Sequence, residues 1–201
     1  MLDSFDVDTI ELNTLMWQTG YLTISKAEET YDGMEYTLSI PNQEVRVSLM
    51  GSIADFMSKI QNPRPIKNGI YKALFEADFQ NFEKFIKSLF ASIPYNNFTG
   101  VKLYEYEGYY ASVFYAYIKA LGVELIGEDV TNKGRIDLTI KLPNVIYVIE
   151  FKTDGSNALS QIKEKNYHEK YLSDERDIHI VGIEFGIKER NITTIQWEKV
   201  K

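Results

Sequence analysis

The chain has 201 residues, of which 44% are hydrophobic and 25% charged, with a formal net charge of −7. This length and composition predict one globular domain, either alone or with a small appendage, and exclude a strongly basic nucleic-acid-binding protein. There is no cysteine for a disulfide or thiolate zinc site, and no apolar run long enough for a membrane helix. The acidic N-terminus also lacks a signal-peptide pattern, so we expect a cytoplasmic protein.

The first 62 residues predict a small helical module that contains a hairpin. Hydrophobic spacing and turn residues place a helix at 6–18, strands at 21–25 and 34–40, and a second helix at 44–60. This order fits a winged-helix-like module, and it fits a plain helical appendage with a hairpin equally well. Pro63 and Pro65 cannot lie inside a continuing helix. We therefore predict an N-terminal module over 1–62 and a second domain over 70–201.

The second domain reads as a mixed α/β sheet flanked by helices. After a helix capped by Asp78, the pattern predicts a second helix at 106–121 and a third at 156–172. Strands are expected at 123–128, 135–142, 145–151, 177–185 and 192–200. This order is typical of the α/β class.

Charged residues occupy unexpected places on two of these strands. In NVIYVIEFK (144–152) a buried-strand pattern ends with Glu150 and Lys152 on one face. If the preceding strand forms a hairpin that pairs Leu142 with Val145, then Asp137 lies opposite Glu150 with Lys152 beside them. Opposed like charges destabilise a sheet, and a cation between them is a plausible compensation.

Strand alternation separates Asp137 from its apolar neighbours. In GRIDLTIKL (134–142) it predicts one polar face and one apolar face. The polar face would carry Arg135, Asp137, Thr139 and Lys141, and the apolar face Ile136, Leu138, Ile140 and Leu142.

Glu107 is a third acidic candidate, because helical spacing puts it at the start of the apolar stripe of the helix at 106–121. The alternative interpretation is simple stabilisation of the helix N-terminus, which fits Glu105 equally well. Two or three carboxylates with a lysine suit Mg²⁺ or Mn²⁺ and phosphoryl chemistry. The alternative for the whole group is a set of exposed salt bridges.

Four blocks in this order resemble the PD-(D/E)XK nuclease superfamily: EGYYASVFYAYIKALG, NKGRID, YVIEFK and ALSQIKEKNYHEKY. More narrowly, they resemble the nuclease-like domain at the C-terminus of bacterial AAA-ATPase-like proteins. The resemblance covers about 100 residues. It implies a restriction-endonuclease-like fold, a Mg²⁺ or Mn²⁺ cofactor and cleavage of nucleic acid, DNA in preference to RNA.

The resemblance also implies residue roles. Asp137 and Glu150 correspond to the metal-binding acids and Lys152 to the catalytic lysine. Glu107 corresponds to a helix glutamate that some members use near the metal, and Gln161 to a polar residue that faces the site. Lys165 and Tyr167 are weaker candidates. Two positions depart from the pattern: Ile136 replaces a proline, and Ala111 stands where relatives often have a histidine.

The N-terminal stretches LMWQTGYLTI and IPNQEVR resemble the segment between the ATPase and nuclease modules of those proteins. The chain contains no G-x-x-x-x-G-K-[ST] loop. We therefore expect a C-terminal piece of a longer protein, acting with an ATPase module and nucleic acid. The main alternative is a binding or regulatory module that keeps the fold without cleaving, and another is an interaction domain held by salt bridges. The tyrosines of 104–117 we assign to the core rather than to stacking on bases.

Overall fold

The computed structural model describes residues 11–60, 62–94, 107–153 and 155–201. Its first part comprises α1 (Leu12–Gln18), β1 (Thr23–Thr30), β2 (Gly33–Ser39) and α2 (Gln43–Ser58). The predicted order of helix, hairpin and helix is confirmed, although residues 6–10 of the first predicted helix lie outside the described residues. The hairpin is almost entirely exposed. No described helix is long and apolar enough to span a membrane.

The C-terminal end of α2 packs against the region that was predicted as the second domain. Ala54 belongs to the main core, and the hydroxyl of buried Ser58 lies 3.3 Å from that of Tyr117. The predicted boundary near residue 62 thus follows a helix that already contributes to this core. The division into two domains remains a prediction.

A helix that the sequence analysis did not assign begins at this boundary. α3 (Arg64–Glu76) has Pro63 at its N-cap and a second proline in its first turn. Proline is tolerated there because the first backbone N–H groups of a helix have no internal partner. α3 packs on α4 (Phe79–Ala91), whose N-cap, Asp78, accepts a hydrogen bond from the backbone of Asn81.

The rest of the chain forms the predicted sheet and its helices. After α5 (Glu107–Lys119) the strands follow in the spatial order β3-β4-β5-β6-β7. Their bounds are Glu124–Thr131, Gly134–Lys141, Val145–Lys152, Asp177–Gly186 and Asn191–Lys199. Among the described strands, only β5 and β6 pair in parallel, and their connection carries α6 (Ala158–Lys165). The mixed sheet flanked by helices confirms the predicted fold class and is compatible with a restriction-endonuclease-like fold.

The single helix predicted at 156–172 is wrong in its continuity. α6 ends at Lys165, its C-cap Asn166 has a left-handed backbone with φ 50°, and a short 3₁₀ helix occupies Tyr167–Tyr171. Asparagine adopts this conformation more readily than most residues and commonly ends helices. Because of this break, Gln161 lies on α6, whereas Tyr167 and Tyr171 lie on the 3₁₀ helix.

The two faces of the sheet carry separate cores. The larger contains residues of α4 and α5, and the smaller contains residues of α6 and the 3₁₀ helix. β5 is buried on both sides up to Phe151, which explains its continuous apolar run. Glu150 is therefore placed inside the protein, with no exposed surface.

Candidate active site

The pairing of β4 with β5 has the predicted register. Lys141 pairs with Ile146, and the ladder continues in step to Leu138 and Ile149. Asp137 and Glu150 are the next residues on either strand, so they lie opposite one another where the regular pairing stops. The short connection between the strands fixes this arrangement.

The predicted alternation of β4 is wrong at one residue. Ile136 packs in the smaller core with Ile146 and Val148, whereas Leu138 packs in the larger core on the other face. The strand therefore changes face across Asp137.

The neighbouring strand changes face at the same level. Gly127 faces Tyr115 of α5, but Asp129 bonds to Tyr171 and Thr139 on the opposite side. Between them Glu128 has a left-handed backbone with φ 57°, which few non-glycine residues adopt. This local twist of β3 and β4 turns Asp137 toward the end of β5.

Asp137 and Glu150 are connected by reciprocal bonds between side chain and backbone. The backbone N–H of Asp137 donates to Oε1 of Glu150 at 3.3 Å. The backbone N–H of Phe151 donates to Oδ2 of Asp137 at 2.9 Å. Each carboxylate is thus held by the strand of the other.

Gln161 orients the second oxygen of Glu150. Its Nε2 donates to Oε2 of Glu150 at 2.8 Å. α6 presents this amide near its N-terminus, where Asn157 caps the helix by accepting from the backbone of Ser160 at 2.8 Å. Both oxygens of the buried carboxylate therefore have a hydrogen-bond donor.

Burial and a like charge raise the proton affinity of Glu150. Loss of solvation is the larger cause, the charge of Asp137 adds to it, and together they raise the pKa of Glu150 to about 8. The positive charge of Lys152 acts in the opposite direction. A carboxyl group with this pKa binds a proton far more readily than an exposed glutamate does.

Lys152 lies between the carboxylate pair and α5. Its Nζ donates to the carbonyl oxygen of Phe151 at 3.0 Å and lies 3.9 Å from Oε2 of Glu107. Only 17% of the Lys152 side chain is exposed, against 38% for Glu107. The structure brings Glu107 to the lysine, at the first turn of α5.

Two of the three predicted metal ligands form a close pair. Within the described ranges, no group of three or more histidine, aspartate or glutamate side chains is positioned to hold a metal ion. The pair of Asp137 and Glu150 offers oxygen donors of the kind that Mg²⁺ and Mn²⁺ prefer. The role of Glu107 as a third ligand remains a prediction.

Comparison with known protein families identifies the part of the chain that contains this site. The family model of the PD-(D/E)XK nuclease superfamily matches residues 105–195. This part of the chain belongs to the PD-(D/E)XK nuclease superfamily. The matched region includes all five predicted site residues, from Glu107 to Gln161.

One curated relative extends the likeness beyond the PD-(D/E)XK region. An uncharacterized protein encoded in the vnfD 5′ region of Azotobacter chroococcum mcd 1 is 35% identical over 199 residues. The alignment covers 96% of this chain but 38% of the relative. The search of solved structures found no match. The superfamily predicted from the four sequence blocks is confirmed, while the link to an ATPase remains a prediction.

The weaker candidates of the PD-(D/E)XK pattern lie elsewhere. Tyr167 is buried in the smaller core, where its hydroxyl lies close to Gly134, and Lys165 is exposed at the end of α6.

Ala111 lines a cleft of about 430 Å³ between α5 and the sheet, and this cleft reaches Asp137. This cleft was not predicted, and the signal for it in the sequence is the set of short side chains on α5.

Proposed function

We propose that this chain carries a metal-dependent nuclease site that hydrolyses phosphodiester bonds of nucleic acid, DNA in preference to RNA. The observation that carries the proposal is the reciprocal bonding of Asp137 and Glu150 at the point where β4 and β5 part. Two carboxylates placed this closely cost free energy unless they are protonated or share a cation. The membership of residues 105–195 in a nuclease superfamily favours a shared cation over protonation.

The donor set fits Mg²⁺ or Mn²⁺. Asp137 and Glu150 would hold the ion, with Glu107 as a further ligand from α5. A divalent ion bound there would polarise a phosphate oxygen and lower the pKa of a coordinated water.

The remaining side chains have separate roles in this proposal. Lys152 is held against the end of β5 by its bond to the carbonyl oxygen of Phe151. From this position its ammonium group would orient the attacking water or stabilise negative charge on the phosphate in the transition state. Gln161 would keep the carboxylate of Glu150 in the orientation that binds metal, through its bond to Oε2.

The charge of the chain supports action together with a partner. A net charge of −7 disfavours tight binding of a polyanion by this chain alone. The curated relative is much longer than the matched region. We therefore propose that other parts of a longer protein assist nucleic-acid binding, and the sequence resemblance suggests an ATPase module in the cytoplasm for this role.

The test is cleavage of labelled DNA and RNA by the purified chain with Mg²⁺, with Mn²⁺ and with EDTA. Cleavage should require metal and should be lost in Glu150→Ala. Glu35→Ala, on the exposed hairpin, is the matched control and should cleave like the wild type. Cleavage that persists in EDTA and in Glu150→Ala would reject the proposed site. Metal-dependent binding of nucleic acid without cleavage by the chain would support the non-cleaving alternative instead.

A further inference from the structure

The cleft beside Asp137 is a second feature of this region. It occupies about 430 Å³ between α5 and strands β3, β4 and β5. This volume falls within the range of about 300–1,000 Å³ that is usual for small-molecule sites. Asp137 is one of its lining residues, so anything bound in the cleft lies next to the carboxylate pair.

The cleft exists because one stripe of α5 carries short side chains. Gly108, Ala111 and Ser112 line it, at the spacing that places residues on one helix face. Tyr115 follows one turn later and forms the end of the stripe. A β-carbon added at Gly127 would lie 3.4 Å from the ring of Tyr115, so the ring rests against the glycine backbone of β3.

The residues that line the cleft favour a neutral aromatic group over an anion. Leu138 and Phe151 give apolar surface. Tyr115 is only half-buried, so it can contact a bound base, whereas Tyr110 and Tyr117 are core residues as predicted.

Asp137 supplies a carboxylate to the cleft, whereas the carboxylate of Glu128 pairs with Arg135, and no lysine or arginine is among the described lining residues. The apolar wall offers no partner to a phosphate, whereas a nucleobase could contact this wall and donate an amino hydrogen to Asp137.

We propose that this cleft receives one unpaired nucleobase of the substrate, beside the phosphodiester held at Asp137 and Glu150. The inference rests on the proposed nuclease function and specifies its substrate class. A base inside a duplex is stacked and paired, so it must leave the helix before it can occupy such a cleft. Unpaired strands, frayed ends and bubbles are therefore preferred over intact duplex.

The proposal is tested by binding and by cleavage. Fluorescence anisotropy in Ca²⁺, a divalent ion that takes the same oxygen ligands, compares a labelled single strand, its blunt duplex and the same duplex with a central bubble. The single strand and the bubble should bind about tenfold more tightly than the duplex, the order expected for one base stacked on an aromatic side chain. Equal affinity for all three, or no binding to any of them, would overturn the proposal.

Variants of the cleft provide the second arm. Ala111→Leu fills the cleft and Tyr115→Ala removes the ring, so both should abolish the preference for unpaired DNA. Tyr115→Phe keeps the ring and should retain the preference, as should Ala27→Leu on the exposed hairpin. Thermal melts show whether each variant is folded. A folded Ala111→Leu chain with the wild-type preference would rule out occupation of the cleft.

The outcomes separate this inference from the proposed function. A chain that prefers unpaired DNA through Ala111 and Tyr115 but cuts nothing keeps the cleft proposal and contradicts the nuclease proposal. A chain that binds and cuts duplex and single strands equally well does the opposite.

Discussion

Asp137 and Glu150 each bond to the backbone of the other residue's strand. The N–H of Asp137 donates to Glu150, and the N–H that follows Glu150, that of Phe151, donates to Asp137. These bonds replace the regular ladder, which ends one residue earlier at Leu138 and Ile149. The backbone thus fixes two acidic groups together, and their charge state affects both stability and metal binding.

The pH dependence of stability should reveal the buried proton of Glu150. Its pKa rises from an ordinary value of 4.5 to about 8 in the folded chain, first through burial and then through Asp137. Between these two values the folded state keeps a proton that the unfolded state has released. The contribution of Glu150 is therefore fully present below about pH 4.5 and is lost as pH rises toward about 8.

Thermal melts of the metal-free chain across this pH window measure the effect. Wild type should lose up to about 1.4 kcal/mol of unfolding free energy per pH unit from this group. Glu150→Gln carries a neutral amide of similar shape and should show a flatter dependence. The same slope in both proteins would mean that Glu150 is already ionised in the folded chain at neutral pH.

Gln161 should act on metal affinity through Glu150. Gln161→Ala removes the donor to Oε2 and should weaken Mn²⁺ binding about tenfold, as is usual when the partner of a metal ligand is lost. Gln196→Ala removes another amide, whose Oε1 accepts from Asn157 at 3.0 Å, and serves as the control. Titration followed by electron paramagnetic resonance of Mn²⁺ gives both constants. Unchanged affinity in Gln161→Ala would assign Gln161 to packing alone.

Much of the candidate site could be predicted from the sequence because β5 is so regular. Its apolar run identifies a central strand, and the short connection after Leu142 leaves little freedom in the pairing of β4 with β5. Register then brings Asp137 and Glu150 together, and Lys152 follows from alternation. These steps use only local geometry, which the sequence pattern carries directly.

Other features depend on conformations that the pattern does not carry. The change of face at Asp137 goes with the left-handed backbone of Glu128, and glutamate gives no indication of such a conformation. α3 is not evident from the sequence because two prolines so close together usually mark the end of a helix, whereas Pro63 and Pro65 stand at the start of this one. The cleft exists because α5 has short side chains at Gly108, Ala111 and Ser112. A pattern of apolar residues predicts a core, but it does not predict the empty space beside small residues.

Lys152 should affect turnover more than metal binding. Lys152→Ala removes a positive charge beside the phosphate position, and loss of one such group commonly costs on the order of a hundredfold in turnover. Both carboxylates remain, so the Mn²⁺ titration should change little. Lys163→Ala removes an exposed lysine that pairs with Glu198 and should leave turnover unchanged. If Lys152→Ala loses metal and turnover together, the lysine supports the carboxylate pair instead of acting on the phosphate.

Asp137→Asn should stabilise the metal-free chain or leave it unchanged. The substitution removes the charge that disfavours ionised Glu150, while the amide oxygen still accepts the N–H of Phe151. The gain should be largest near or above pH 8, where Glu150 begins to ionise in the folded wild type. Thermal melts in EDTA compare the two proteins. Asp137→Ala is the contrasting variant, because it leaves the N–H of Phe151 without this acceptor and should cost about 1–3 kcal/mol.

Manganese should reverse the order of stability of wild type and Asp137→Asn. A ligand that binds only the folded chain adds about 2.7 kcal/mol when its free concentration is a hundred times Kd. Wild type should gain this increment in millimolar Mn²⁺, and Asp137→Asn should lose most of it because one ligand charge is gone. Clear destabilisation of Asp137→Asn in EDTA, with no manganese shift in either protein, would make Asp137 a structural hydrogen-bonding residue. In that case the paired carboxylates hold the ends of β4 and β5 together rather than a metal ion.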